Sequence, residues 1–262
     1  MKVLVRFSFF GRDFYGTQKQ KKGETIQSLF EWMLSLCYQQ EVKVYLCSRL
    51  DRYVNAYDYA ILFEAPDNRM SIDRLSYYFK RMIRKDITIY EVREVNDTFH
   101  PRYDCTYKSY VYVIQNREIQ NPLFNSISYA PKRVLDKTKI EEAIHLFEGK
   151  HDFRYFSTPE GDENTILDIA KTELVEDNGF LYLRFIGKSF LRYQVRFMVG
   201  GCLRYEEGKI SKDDILSMLN SHPVKWDKLK AEPYALTLEK ICYPTLGDKE
   251  DYPIGIPDFF KI

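Results

Sequence analysis

One carboxylate in this chain is framed for covalent chemistry. Asp51 lies in the stretch Ser48-Arg49-Leu50-Asp51-Arg52-Tyr53-Val54-Asn55-Ala56. With Arg49 and Arg52 beside it, the side chain stays ionised near neutral pH, because neighbouring positive charge favours the anion. An ionised, partly desolvated carboxylate acts as a nucleophile or as a general base. An isolated Arg-x-Asp more often marks a solvated loop, since loops are rich in both residue types. The choice depends on the elements that hold Asp51 and on the rest of the chain.

Those elements are legible as periodic patterns. Val42 to Cys47 and Tyr57 to Glu64 read as strands, which puts Asp51 in the loop between them. Upstream, Val3, Val5, Phe7 and Phe9 alternate at period two, a strand with one apolar face. Thr25 caps a helix with Ile26, Leu29, Phe30, Met33, Leu34 and Cys37 at helical spacing. Ser71 caps a second helix through Leu75, Phe79, Met82 and Ile83, and Ile87 to Val95 is extended. Strand, helix, strand, strand, helix, strand is the order of a ferredoxin-like split βαβ half.

The rest of the chain repeats that plan with insertions. Lys108 to Gln115 is a strand, and Asn121-Pro122 marks a turn. Thr138-Lys139-Ile140-Glu141 is a capping box for a helix through Ile140, Ile144 and Phe147, closed by Gly149. Thr172 to Val175 and Phe180 to Ile186 form a hairpin around Asn178-Gly179. A long helix is expected from about Ser189 to Arg204, and a capped one from Ser211 to Asn220. The expected organisation is residues 1–98 as an N-terminal half carrying the Asp loop, 99–243 as a C-terminal half, and 244–262 as an irregular tail.

The helix Phe190 to Gly200 is apolar nearly all round, so it should be buried on most sides. Arg192 and Arg196 would stand one turn apart on it. A buried, unpaired guanidinium is very costly, so an arginine there needs an anion, and Asp51 is the nominee for Arg196. Snorkelling to solvent from the helix edge is the alternative for both arginines.

Composition removes several classes. Of 262 residues, 45% are hydrophobic, a globular value, and no apolar run reaches membrane-spanning length. Met1 to Phe7 lacks a signal-peptide layout, so a cytoplasmic protein is expected. Five scattered cysteines without a C-x-x-C pair, and four histidines without ligand spacing, argue against disulfides and a metal. No glycine-rich phosphate loop follows a strand, so no nucleotide cofactor is expected. A net charge of +1 does not advertise nucleic-acid binding. Local clusters (Lys19, Lys21 and Lys22; Lys80, Arg81, Arg84 and Lys85; Arg192, Arg196 and Arg204) still permit phosphate binding in a cleft.

Taken in order, the segments resemble the TruA family of tRNA pseudouridine synthases, from the N-terminus to about Leu238. Gly16-Thr17-Gln18-Lys19-Gln20 stands for the family's Gly-Trp-Gln-x-Gln, and Thr25 to Glu31 for its Thr-x-Gln-x-x-Leu-Glu, with one residue shifted. Arg49 through Ala56 matches Arg-Thr-Asp-x-Gly-Val-His-Ala. Phe99-His100-Pro101-Arg102 matches Phe-His-x-Arg, and Lys108, Tyr110 and Tyr112 match Lys-x-Tyr-x-Tyr. Gly149, His151, Asp152 and Phe153 follow, then Phe190, Leu191, Val195, Arg196, Met198, Val199 and Gly200.

The resemblance implies an α+β fold in which two ferredoxin-like halves, with antiparallel sheets, join into one central sheet with helices on its outer face. It implies that Asp51 attacks the bound uridine, that Tyr110 stacks on the target base, and that Arg196 pairs with the aspartate. Without it, Tyr110 would read as a core tyrosine. Arg49 would insert where the target base swings out. The other candidate RNA contacts are Arg52, Gln18, Gln20, His100, Arg102, Lys108 and Arg192. The implied substrate is tRNA, most simply the anticodon stem-loop, held across a homodimer, with no membrane and no cofactor. The alternatives are a paralogue acting on another RNA and a non-catalytic RNA-binding protein.

Departures cluster in the signature. Leu50 replaces threonine, Tyr53 glycine and Asn55 histidine, and Thr17 replaces the tryptophan of the opening segment. Tyr53 in place of glycine predicts a loop on a different path. Ala231 to Leu236 only loosely matches the family's Ala-Pro-x-x-Gly-Leu.

Overall fold

The computed structural model describes residues 1–67 and 70–261. The fold is mixed α+β, with antiparallel strand pairs and five α-helices among the described residues. Two compact units share the chain: Met1–Thr106 with Lys240–Lys249, and Tyr107–Glu239 with Glu250–Ile262.

In the first unit the elements are β1 (Lys2–Phe9), α1 (Ile26–Tyr38), β2 (Val44–Leu46), β3 (Asn55–Glu64), α2 (Ile72–Met82) and β4 (Ile87–Val95). Strand β1 lies between β3 and β4, and β2 pairs with β3, all antiparallel. This is the ferredoxin-like arrangement expected from the sequence. Thr25 and Ser71 cap their helices as read, Thr25 through a box closed by Ser28. Phe7, Phe30, Phe63 and Phe79 form a chain of rings, with centroids 4.8 Å apart for Phe7–Phe30 and 5.8 Å for Phe30–Phe79. Burying each such ring stabilises the fold by about 1.5–3 kcal/mol.

Alternation in β1 suggested one apolar face, yet Leu4 and Arg6 on the other face are buried too. Arg6 tolerates this through a bidentate pair with Asp58 at 3.2 and 2.7 Å, with Asp248 at 2.9 Å and the Ile241 carbonyl at 3.3 Å. Burial alone would lower the Arg6 pKa. The hydrogen bond and charge of Asp58 more than reverse this, so the group stays cationic.

The second unit contains β5 (Tyr107–Gln115), α3 (Lys137–His145), β6 (Gly149–Asp152), β7 (Ile166–Asp177), β8 (Phe180–Gly187), α4 (Gln194–Glu206), α5 (Lys212–Leu219) and β9 (Leu236–Cys242). Its strand order is β9-β5-β8-β7-β6. The first-unit pattern recurs, with β5, β7, β8 and β9 in the places of β1 to β4. The first four residues of β9 belong to this unit and the last three to the first. The β7–β8 turn has Asn178 and Gly179 at φ 46° and 72°, the geometry that makes Asn-Gly a hairpin signal. Arg184, 1% exposed, is held by Glu239 at 2.8 Å through two nitrogens, by Glu173, and by the Gly255 carbonyl at 2.9 Å.

Two helix boundaries differ from the sequence reading. Helix α3 is capped by Asp136, whose carboxylate accepts from the Lys139 N–H, so Thr138 lies inside the first turn. It ends at His145, and Gly149 instead opens β6 with φ 95°. Helix α4 begins at Gln194 rather than near Ser189, because Tyr193 adopts a left-handed conformation with φ 63°. Arg192 therefore precedes the helix and does not share a helical face with Arg196.

No helix among the described residues is long and apolar enough to cross a membrane. Residues 244–262 carry short 3-10 turns at Pro244–Leu246 and Asp258–Phe260. Phe259, Phe260 and Ile256 pack on Val111, Val113, Phe180 and Tyr182 in the second unit.

Candidate active-site residues

Asp51 is half-buried in the loop joining β2 to β3, within the first unit. The loop closes on itself where the Val54 N–H donates to the Asp51 carbonyl at 3.2 Å. Tyr53 takes φ 71°, a left-handed conformation that glycine adopts without strain and a tyrosine does not. The loop thus carries a bulky side chain on a backbone conformation that favours glycine. The Arg52 guanidinium sits 4.0 Å from the Tyr15 ring centroid and 4.5 Å from that of Tyr53.

Neighbouring backbone packs tightly under this loop. A Cβ on Gly11 would stand 2.1 Å from the Val54 carbonyl oxygen, and one on Gly16, where φ is 82°, 2.6 Å from that of Leu50. Both positions need glycine for that reason. The Asn55 side-chain carbonyl accepts from the Gly11 N–H at 2.9 Å. The Thr17 hydroxyl donates to the Ser48 carbonyl at 3.2 Å and accepts from the Leu50 N–H at 2.9 Å, while the Thr17 N–H donates to the Leu50 carbonyl at 3.1 Å.

In the second unit Tyr110 is 5% exposed on β5, with the edge of Phe190 at 5.0 Å between centroids. Arg196, on the first turn of α4, is 7% exposed. Its Nε donates to the Ala231 carbonyl at 2.7 Å, and the Ala231 N–H donates back to the Arg196 carbonyl at 3.1 Å. The segment ending at Ala231 lies directly on the helix: a Cβ on Gly200 would be 1.8 Å from the Leu229 carbonyl oxygen. One edge of the guanidinium is thus oriented by backbone. Lys228, from the same segment, reaches the Ser157 carbonyl at 3.1 Å, and burial lowers its pKa. Lys230 lies 4.0 Å and Arg196 5.5 Å from the Tyr193 ring centroid. Tyr112, fully buried on the same face of β5 as Tyr110, has a hydroxyl with no hydrogen-bond partner among the described residues.

The other sequence-derived candidates divide between the units. In the first, Arg49, Arg52, Gln18 and Gln20 are exposed, and Gln20 donates to the Tyr15 carbonyl. His100 accepts at Nδ1 from the Arg102 N–H at 3.1 Å. Burial lowers its pKa, so near pH 7 it is neutral, with its proton on Nε2. The exposed Arg102 guanidinium lies 5.8 Å from the Tyr103 ring. In the second, Lys108 is buried on β5. Arg192 is exposed and bound to Glu160 at 3.0 Å. The clamp from Thr17 and the seat that Ala231 makes for Arg196 were not foreseen from sequence.

A family model described as tRNA pseudouridine synthase matches residues 143–244. The chain is 31% identical over 238 residues to tRNA pseudouridine synthase A of Aquifex aeolicus, covering 91% of this chain and 98% of that protein. The chain belongs to the tRNA pseudouridine synthase family. The corresponding protein of Staphylococcus epidermidis is 32% identical over 245 residues, covering 92% of this chain and 90% of that one. That of Dictyoglomus turgidum is 28% identical over 240 residues, covering 91% and 98%. Of the positions that depart from the signature of the tRNA pseudouridine synthases, Thr17 and Asn55 hydrogen-bond backbone at or beneath the Asp51 loop, and Tyr53 takes a positive φ within it.

Proposed function

We propose that this protein isomerises uridine to pseudouridine in tRNA, most simply in the anticodon stem-loop. The observation that carries the reading is the 31% identity to a tRNA pseudouridine synthase A along 91% of the chain. Isomerisation breaks the bond from ribose C1′ to uracil N1 and makes one from C1′ to C5. The proton on C5 leaves and N1 gains one, so atoms and electrons balance without a redox partner.

In this reading the Asp51 carboxylate attacks the sugar or assists departure of the base as a glycal forms. Tyr110 offers its ring to the detached uracil, and Arg196 holds Asp51 in its ionised form. The seat of Arg196 on the Ala231 carbonyl supports that role, because a guanidinium fixed along one edge presents its remaining N–H groups in one direction. Arg49 enters the RNA in place of the target base, which must leave its stack to be reached. Gln18, Gln20, Arg52, His100, Arg102, Lys108 and Arg192 contact RNA. A homodimer shares the RNA between two copies, and the protein works in the cytoplasm.

Tritium at uridine C5 reports the reaction directly, since that hydrogen is released to water when the new bond forms. Wild-type protein should release it from an anticodon stem-loop transcript. Asp51→Asn should not, while retaining RNA affinity in filter binding. Equal release from wild type and Asp51→Asn would sink the catalytic assignment. Wild-type release from another RNA only would move the substrate and keep the chemistry.

A further inference from the structure

We propose that Thr17 is a positioning residue for the reaction: it acts through the backbone of the Asp51 loop and sets where the carboxylate points. The inference rests on the assignment of Asp51 above and deepens it. Thr17 is fully buried, and three of its hydrogen bonds go to Ser48 and Leu50, while its own carbonyl accepts from the Gln27 N–H at 2.9 Å on the first turn of α1. It therefore grips the loop on both sides of Arg49, and the second grip falls on the residue immediately before Asp51. The Leu50 peptide is held at both its N–H and its C=O by one residue, which fixes the backbone entering Asp51. Tyr59 adds a second donor to the Ser48 carbonyl. Beyond Asp51, Val54 and Asn55 are anchored by the Gly11 contacts. The carboxylate is thus carried on a short arch with both feet fixed.

Only a hydroxyl side chain can serve this place, because one atom must both donate to a carbonyl and accept from an N–H. Valine has the same shape and can do neither. Without the hydroxyl, the Leu50 N–H and the Ser48 carbonyl lose a partner and the arch loosens on its N-terminal side. A reacting group displaced by about 1 Å costs on the order of a hundredfold in rate. Such loosening acts first on the chemical step, which needs Asp51 placed to within about 1 Å, whereas the neighbouring Gln18, Arg49 and Arg52 are long, exposed side chains that can adjust to RNA.

The test compares wild type with Thr17→Val, Thr17→Ala and Thr17→Ser, using an anticodon stem-loop transcript carrying 5-tritiated uridine. Thr17→Val should lower the single-turnover rate by about ten- to a hundredfold. RNA affinity should stay within about twofold, well under the tenfold that marks a real change in binding. Thr17→Ser should return to within about threefold of wild type, since it restores both hydrogen bonds. Thr17→Ala, which removes the hydroxyl without setting a methyl against the Ser48 carbonyl and the Leu50 N–H, stands in if the valine variant does not fold. Hydrogen exchange at the Leu50 amide is read in parallel and should accelerate in the valine or alanine variant but not in the serine one. Folded valine or alanine protein with the wild-type rate, or a serine variant as slow as they are, would overturn the proposal. If wild type itself releases no tritium from any tRNA, the functional reading fails, and the Leu50 exchange alone still shows whether the clamp exists.

Discussion

Replacing Tyr53 offers a test in which the sign, not only the size, is informative. Its φ of 71° places a side chain in the left-handed region, where any L-residue with a Cβ carries roughly 1–2 kcal/mol that glycine does not. At ordinary positions glycine is the worse choice by about 0.5–1 kcal/mol, because it has more freedom to lose on folding. Tyr53→Gly and Tyr53→Ala both remove the ring and its contact with Arg52, so that loss cancels between them. The remainder leaves glycine ahead of alanine by about 0.5–1 kcal/mol, the reverse of the usual order. For a chain of this size the gap corresponds to a thermal midpoint roughly 1–2 °C higher for Tyr53→Gly, measured by scanning calorimetry. Tyr53→Pro, whose ring forbids positive φ, should abolish tritium release where Tyr53→Gly keeps it. An alanine variant as stable as the glycine one, or an active proline variant, would show that the loop does not depend on this conformation.

Two further outcomes are expected. Gly200→Ala would put a methyl 1.8 Å from the Leu229 carbonyl oxygen and lift residues 229–231 off α4; it should destabilise by about 1–3 kcal/mol and, by unseating Arg196, slow isomerisation at least about tenfold. Wild-type activity in folded Gly200→Ala would contradict that seat. Glu206 is buried and receives Arg133 and the Asp136 N–H, and the hydrogen bond from Arg133 leads in lowering its pKa. A depressed carboxylate contributes stability that is present above the ordinary glutamate range and is lost as pH falls through the folded-state value. The stability gap between wild type and Glu206→Gln should therefore be constant at pH 6–8 and close below about pH 4; a gap that widens in acid would refute the sign.

The elements that were readable in advance are those whose signals are local. Thr25, Ser71 and Ser211 announce helices because a cap is a bond to an N–H a few residues away. Asn178-Gly179 announces a hairpin because both residues accept positive φ. Where two local signals competed, the reading slipped: Asp136 and Thr138 are both competent caps, and Asp136 takes the position. Tyr193 could not have been foreseen, since a left-handed tyrosine has no propensity signature, and with it went the supposed helical pairing of Arg192 and Arg196. Arg6–Asp58 and Arg184–Glu239 join residues 52 and 55 apart in the chain, a separation that no periodicity reveals. At the candidate site, Asp51, Tyr110 and Arg196 were nominated through kinship. The support beneath them was not, because Thr17 and Asn55 look like losses in the signature and act as struts in the folded chain.

The anchoring of residues 244–261 bears on how a truncation at Tyr243 would play out. Asp248 satisfies a nitrogen of Arg6, and the Gly255 carbonyl satisfies one of Arg184. A premature stop codon after Tyr243 would spare every β-strand and α-helix among the described residues, yet strand polar groups in the interior of both units. Such a transcript would yield a polypeptide with an intact signature loop that cellular proteases nonetheless clear, so the phenotype of a late truncation should match that of a null allele.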